Sequence, residues 1–304
     1  MPATRHRSHH GGGQGAADLL YLGSDCALAR RMCGAAEARG VLAAFISARR
    51  IVDDMRVSDA ISSEQGTTVA WDLGDLRVCS RRVRGVLNYL GAIPASLMVT
   101  YDSEDREYVH AELTSYLGFA LSQFRNVINE PSRGCISGAS DSLPYQWEFV
   151  IGAQVAVGVP SFEISVEPRP TANEIVTADF YDYTNWDPAS RSCSSPEEDA
   201  VLLKYERPRG TPVLCWFVDD ALQHLDATSG LPWNGARSSR PVTAMSDLVR
   251  KLREHLSLRM GQAIFFVEER EITFGSIMPF VTLEAGGAAA QGEFVDALMD
   301  ALLR

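Results

Sequence analysis

The sequence predicts an α/β protein that turns α+β in its C-terminal lobes: a βαβ parallel-sheet domain followed by antiparallel-sheet lobes. Three observations carry this. Two apolar runs, "DLLYLGS" (18–24) and "VLAAFIS" (41–47), flank an Ala-rich stretch, "CALARRMCGAAEARG" (26–40), that ends in glycine. A strand–helix–strand unit of about thirty residues implies parallel neighbours in one sheet. An apolar stripe at helical spacing runs through 103–124, and "AIFFVEEREITFG" and "IMPFVTLEA" alternate like two antiparallel strands.

Taken in order, residues 1–17 are basic, Gly-rich and without an apolar h-region. They read as a disordered leader in which His6, His9 and His10 complete no metal site. Residues 18–47 are the βαβ unit, "TTVAWDL" (67–73) adds a strand, and "GVLNYL" (85–90) another. The turn Gly23-Ser24-Asp25 has one glycine where a dinucleotide fingerprint needs three, so it reads as a structural turn. Helix 103–124 buries Val109, Leu113, Tyr116, Leu117, Ala120 and Phe124, with Glu104, Asp105 and Glu107 in a first turn that favours acid. "NVI" follows as a strand.

"YQWEFVIGAQVAV" (145–157) reads as a helix stopped by Gly158, and "SFEISV" as extended chain. Residues 167–200 have no period and are loop-rich, with room for one short helix. "AVLLKYE" (200–206) and "PVLCWFVDDALQHLD" (212–226) are strand-like runs joined hairpin-fashion through Arg207-Pro208-Arg209-Gly210. An amphipathic helix spans 243–258 and a last helix 292–303.

Composition excludes several function classes. The 304 residues are 46% hydrophobic and 22% charged, an ordinary globular balance, with a formal net charge of −11. That charge argues against a nucleic-acid binder, whose affinity rests on clustered cations. The basic clusters Arg49-Arg50 and Arg81-Arg82-Val83-Arg84 read as solvated helix faces. No run approaches the ~20 apolar residues of a membrane span. The six cysteines are scattered without a CxxC pair, the pattern of reduced thiols in a cytoplasmic protein.

None of GxxxxGK[ST], HExxH, GxSxG or zinc-type Cys/His spacing is present in the sequence. An ordered set of smaller matches is present instead. "VRGVLNYL" precedes the acidic-capped helix with "REYVHAEL". Then come "VINEP" (127–131), a Gly/Ser loop, "SLPYQ" opening a helix and "GVP" closing it. "LSLRMG", two alternating strands, "LEAGG" and a terminal helix follow. In this order the chain resembles the ATP-grasp superfamily, specifically the glutathione-synthetase-like carboxylate–amine ligases, over roughly residues 80–304.

The resemblance implies an N-terminal α/β domain over 18–130 and ATP-grasp-like lobes over 131–304, with a shortened nucleotide-clamping lobe at about 160–225. It implies ATP and Mg2+ as cofactors of an active relative. It matches Glu284 to a metal carboxylate; Glu268 or Glu269 is the candidate substitute for the missing one, Lys204, Glu206, Arg207 and Arg209 are candidates for nucleotide contacts, and Asn129, Arg133 and Tyr145 for a substrate cleft. The departures from the family pattern are numerous. Leu143 stands where relatives carry lysine, and the first metal carboxylate falls at about Ile264. The phosphate-facing arginine falls at Leu214 or Cys215, and the asparagine and proline beside Glu284 become Gly286 and Gly287. Lys204 is the first lysine in the chain and Lys251 the only other.

Two functions follow from different classes. One is a degenerate ATP-grasp-like protein with impaired or absent ATP turnover, without cofactor, binding a peptide, protein or small molecule in a biosynthetic pathway, with Ala/Leu-rich helices that allow a homodimer. The other is an active carboxylate–amine ligase with a rebuilt Mg/ATP site that makes an acyl phosphate. In either case nucleic acid and membrane are excluded as partners.

Overall fold

Leu19, Leu20, Tyr21 and Leu22 are fully buried, because this strand lies inside a parallel sheet covered on both faces. The computed structural model describes residues 15–64, 66–132, 135–138, 141–166, 173–181, 201–233 and 239–304. Most of the leader and Arg133 lie outside the described residues, as do residues 182–188 of the aromatic "FYDYTNWDP" stretch.

The N-terminal half runs β1 (Gly15–Ala16), β2 (Leu19–Leu22), α1 (Ala27–Ala38), β3 (Ala43–Ile46), α2 (Ala48–Asp54), β4 (Arg56–Val57), β5 (Ala60–Ser62), β6 (Gly66–Thr68), β7 (Ala70–Asp72), β8 (Leu76–Cys79) and β9 (Gly85–Asn88). A 3-10 turn (Ala95–Thr100), α3 (Arg106–Leu121) and β10 (Val127–Ile128) complete it. The expected βαβ unit is present, and the parallel sheet has the order β10-β9-β2-β3. Alternation divides β2 between two cores. Leu19 and Tyr21 face α1 and the C-terminal helix, whereas Leu20 and Leu22 face α3. Helix α1 ends in a Schellman motif: Gly40 donates to Glu37 and Val41 to Ala36, with Gly40 at φ +68°.

Two expectations are corrected here. "TTVAWDL" does not extend the parallel sheet; β6 pairs with β5, and β7 joins the separate sheet β1-β8-β7-β4. Arg81–Arg84 do not form a helix face but the turn between β8 and β9, where Arg82 and Val83 N–H both donate to Cys79 O.

The C-terminal half runs α4 (Leu143–Gly152), β11 (Phe162–Ser165), β12 (Glu174–Thr177), β13 (Leu202–Glu206), β14 (Thr211–Val218), β15 (Ala221–Asp226), α5 (Ser239–His255), β16 (Met260–Glu268) and β17 (Glu271–Met278). A 3-10 turn (Leu283–Ala285) and α6 (Ala288–Leu303) follow. Helix α4 stops five residues before the expected end. Gln154 adopts a left-handed φ of 52° there, and Lys251 Nζ caps Ala153 O at 2.8 Å. The expected hairpin across Arg207–Gly210 is absent: β13 sits between β11 and β12, whereas β14 belongs to the sheet β15-β14-β16-β17. "AIFFVEEREITFG" is itself a hairpin turning at Glu269-Arg270, and "IMPFVTLEA" is the end of β17 running into a 3-10 turn.

Strand β14 is buried on both faces. Val213, Cys215 and Phe217 meet α4 and α5, and Leu214, Trp216 and Val218 meet α6 and α1. No helix among the described residues is long and apolar enough to cross a membrane.

The β14–β15 turn is fastened by Asp219, which accepts from Arg259 Nε and NH2, each at 2.9 Å, with Arg304 at 3.5 Å. Burial raises this carboxyl, but Arg259 and its neighbouring arginines outweigh that and hold it below the usual carboxylate range. A lowered folded pKa contributes stability that is present above the unfolded carboxylate pKa and lost as pH falls through the folded value. Asp219→Asn therefore destabilises by about 1–3 kcal/mol at neutral pH. Urea melts of both proteins between neutral and acid pH will show the gap closing as pH falls; a constant gap would sink this assignment.

Candidate functional site

Strands β14 and β16 pair antiparallel with Leu214 opposite Ile264 and Trp216 opposite Gln262. Leu214, and not Cys215, therefore shares a face with Ile264, since Cys215 points to the α5 side. The Trp216 indole is fully buried and donates from Nε1 to Gln262 Oε1 at 2.9 Å. The same oxygen accepts the Thr282 N–H at 3.1 Å, which pins the 283–285 turn over the indole. A Cβ placed on Gly286 would sit 2.3 Å from Trp216 Cη2. The tryptophan ring thus occupies the space that any larger residue at 286 would need.

Glu284 projects from the 3-10 turn as an exposed side chain, not from a strand. Its neighbour is Tyr89, whose hydroxyl donates to Val281 O at 2.7 Å and accepts Val281 N–H at 2.6 Å. Burial drives the Tyr89 phenol upward, its bond to Val281 O opposes this, and Cys26 and Glu284 add to the rise.

The second region lies at the other end of the β16–β17 hairpin. Glu206, Arg207, Arg209 and Glu268 line one open depression of about 330 Å³, with Glu271 beside them. Arg209 and Glu206 approach to 4.0 Å. The segment is held where it leaves β13: Glu206 N–H donates to Ser161 O, and Arg207 N–H to Asn173 O. Lys204 does not line this depression. On the central strand of the three-stranded sheet it pairs with Glu163 at 2.7 Å and Glu174 at 3.8 Å. The hydrogen bond to Glu163 holds its amine above the usual value, burial opposes this, and the two carboxylates add to the rise.

Glu268 and Glu284 are not brought together. Glu268 pairs with Glu271 at the hairpin tip, and Gln262, which anchors the Glu284 turn, pairs with Met278 at the far end. Six residues of strand separate these levels, roughly 20 Å. Among the described residues no group of three or more His, Cys, Asp and Glu could hold a metal ion.

Asn129, expected in a cleft, lies inside the core. It is fully buried, with Nδ2 donating to Met260 O at 2.9 Å and Pro279 O at 3.3 Å. Its Oδ1 accepts the N–H groups of Arg259 and Met260, each at 2.8 Å. Tyr145 is half exposed and stacks over His255, which lies 4.2 Å from Phe149 on a near-parallel ring. The residues that sequence reasoning missed are Trp216 and Gln262. Their one visible signal is a tryptophan inside an apolar strand and a Gly-Gly pair far downstream.

A parallel α/β domain, a small three-stranded antiparallel sheet and a larger antiparallel sheet, joined in this order, form an ATP-grasp fold. No family model matches the sequence, and no curated protein matches it. Solved structures do. The ATP-grasp ligase PsnB complexed with precursor peptide PsnA2 and AMPPNP aligns at a TM-score of 0.66, with 13% identity over 94% of this chain and 99% of that one. Macrocyclase MdnC from Microcystis aeruginosa, bound with precursor peptide MdnA, aligns at 0.65 with 13% identity over 92% and 98%. A RimK domain ATP-grasp protein from Sphaerobacter thermophilus aligns at 0.53 with 12% identity over 94% and 97%. At such identities the likeness shows the fold.

Proposed function

We propose that this chain is an ATP-grasp-like protein that has lost ATP turnover and serves in a biosynthetic pathway by binding a peptide. The observation that carries the reading is the apolar pairing of Leu214 with Ile264 beneath Trp216 and Gly286. Forming an acyl phosphate requires magnesium held by hard oxygen ligands and cations on the transferring phosphoryl group. At the positions that the family resemblance gives to these groups the chain offers two aliphatic side chains, a glycine closed by an indole, and the single exposed carboxylate of Glu284. That donor set does not fit two magnesium ions.

A rebuilt ligase would need a second carboxylate beside Glu284, and Glu268 stands roughly 20 Å away along the hairpin. The 330 Å³ depression with Arg207 and Arg209 supports at most an anion contact remote from Glu284. The peptide half of the reading is supported by the neighbours PsnB and MdnC, both solved with precursor peptides.

Calorimetric titration with magnesium and ATP, followed by a phosphate-release assay, tests the proposal. The expected result is no binding tighter than about 1 mM, a free energy weaker than about −4 kcal/mol, and no phosphate release. Micromolar, magnesium-dependent binding that Glu284→Gln abolishes would restore the ligase.

A further inference from the structure

The chain carries 39 acidic against 28 basic side chains, yet one depression in it is lined by arginine with no Asp or Glu side chain. Arg81, Arg82 and Arg84 leave the β8–β9 turn, Arg125 lies just before β10, and Arg304 follows α6. Together they surround about 460 Å³. The arrangement is built by the fold. Val83 is buried as the anchor of the turn, Arg84 N–H donates to Asp18 O, and its guanidinium donates to Leu303 O at 3.1 Å. Arg304 is turned toward Asp219. Arg82 and Arg125 are exposed and have no carboxylate partner among the described residues.

Arg82 also lines an adjoining depression of about 640 Å³ with Arg56, Arg77 and Trp71. The two depressions meet at Arg82; Asp72, paired with Arg77, lines the larger one, and Asp219, paired with Arg304, lies beside the smaller one.

We infer that this groove docks an acidic peptide segment, a short run of Asp and Glu side chains. Guanidinium groups present planar donor forks that match carboxylates two bonds at a time. Five of them in one concavity focus a positive potential on a molecule that is otherwise negative. Asp72 in the adjoining depression and Asp219 beside Arg304 favour a short partner over a nucleic acid. A polynucleotide gains its affinity from many phosphates in a row and would run from the groove onto repulsive surface. The inference rests on the proposed function for one point, that the partner is a peptide, and it is independent of the Leu214–Ile264 face.

Fluorescence anisotropy of the full chain with a labelled Glu- and Asp-rich peptide, at low salt, tests it. The comparisons are a neutral peptide of equal length and the variant Arg82→Glu with Arg125→Glu, whose fold is checked by circular dichroism and thermal melting. Because both side chains are exposed, the variant is expected to fold. Acidic-peptide affinity should fall at least about tenfold in the variant, weaken steeply with salt, and survive in Arg82→Lys with Arg125→Lys to a greater degree. Equal binding by wild type and the Glu variant overturns the inference, as does preference for the neutral peptide. An oligouridylate of equal length that displaces the peptide at lower concentration would assign the groove to nucleic acid and overturn it too. Magnesium–ATP titration of the same samples separates the two proposals. Peptide failure without ATP binding sinks the groove alone, and ATP binding with intact peptide docking sinks the loss of turnover alone.

Discussion

Asn129→Ala is expected to lower the stability of the protein by about 3–5 kcal/mol, one of the largest losses available to a single polar side chain here. The side chain is fully buried and makes four hydrogen bonds, all to backbone on the approach to β16 and the exit from β17. Its own carbonyl accepts from Asn88 Nδ2, so the residue ties the end of the parallel sheet to the start of the antiparallel one. Truncation leaves the Met260 N–H and two carbonyls in a place where water does not replace the amide, at about 1–3 kcal/mol for each orphaned group. Asn129→Asp tests the donor half separately. Its carboxylate would face the Met260 and Pro279 carbonyls, so it should be nearly as damaging at neutral pH and milder in acid, where one oxygen regains a proton to donate. Chemical denaturation of the three proteins supplies the measurement. A loss under about 1 kcal/mol for the alanine variant would return Asn129 to the role of a cleft residue.

The contrast between Asn129 and its surroundings shows what a one-dimensional reading carries. "DLLYLGS" was legible as a buried parallel strand because both faces of that sheet are covered, which removes polar alternation from the sequence itself, whereas "VLAAFIS" forms the sheet's edge strand, in which only Ile46 is buried. Helix α3 was legible because Val109 through Phe124 repeat on one face. Pairing was less legible. Nothing local in "LLKYERPRGTPVLCWFV" says that β13 and β14 enter different sheets, since register is fixed by partners distant in sequence, such as Glu174 opposite Glu206 and Thr211 opposite Val267. Arg81–Arg84 is too short to carry any period, so a turn and a helix face look alike there. Glu284 stood out as a carboxylate among apolar residues. Its distance from Glu268 became visible only once the hairpin placed them at opposite ends. Leu214 and Ile264 needed the same register to be seen as one face.

Gly286→Asn, which puts back the residue that the family resemblance places beside Glu284, is expected to destabilise the protein by about 2–4 kcal/mol. The new Cβ would lie 2.3 Å from Trp216 Cη2 and 2.8 Å from Cζ3, so either the indole or the 283–287 backbone has to move. The indole is not free to yield. It is clamped by its bond to Gln262 and by the edge of Phe294 at 5.5 Å between ring centres. Moving the backbone instead would strain the Thr282–Gln262 contact that orients the turn. Trp216→Leu on its own removes ring volume and the Nε1 donor, a loss of about 3 kcal/mol. If the indole is what closes the position, the two changes must compensate: the double variant should be more stable than the sum of the single losses by about 1–3 kcal/mol. A thermodynamic cycle from denaturant melts of the four proteins reads this directly. Strict additivity would mean that Trp216 and residue 286 do not meet, and the steric part of the proposed loss of ATP turnover would fall with it. Compensation would show that packing closes position 286, so that placing an amide there without first removing the indole costs the fold.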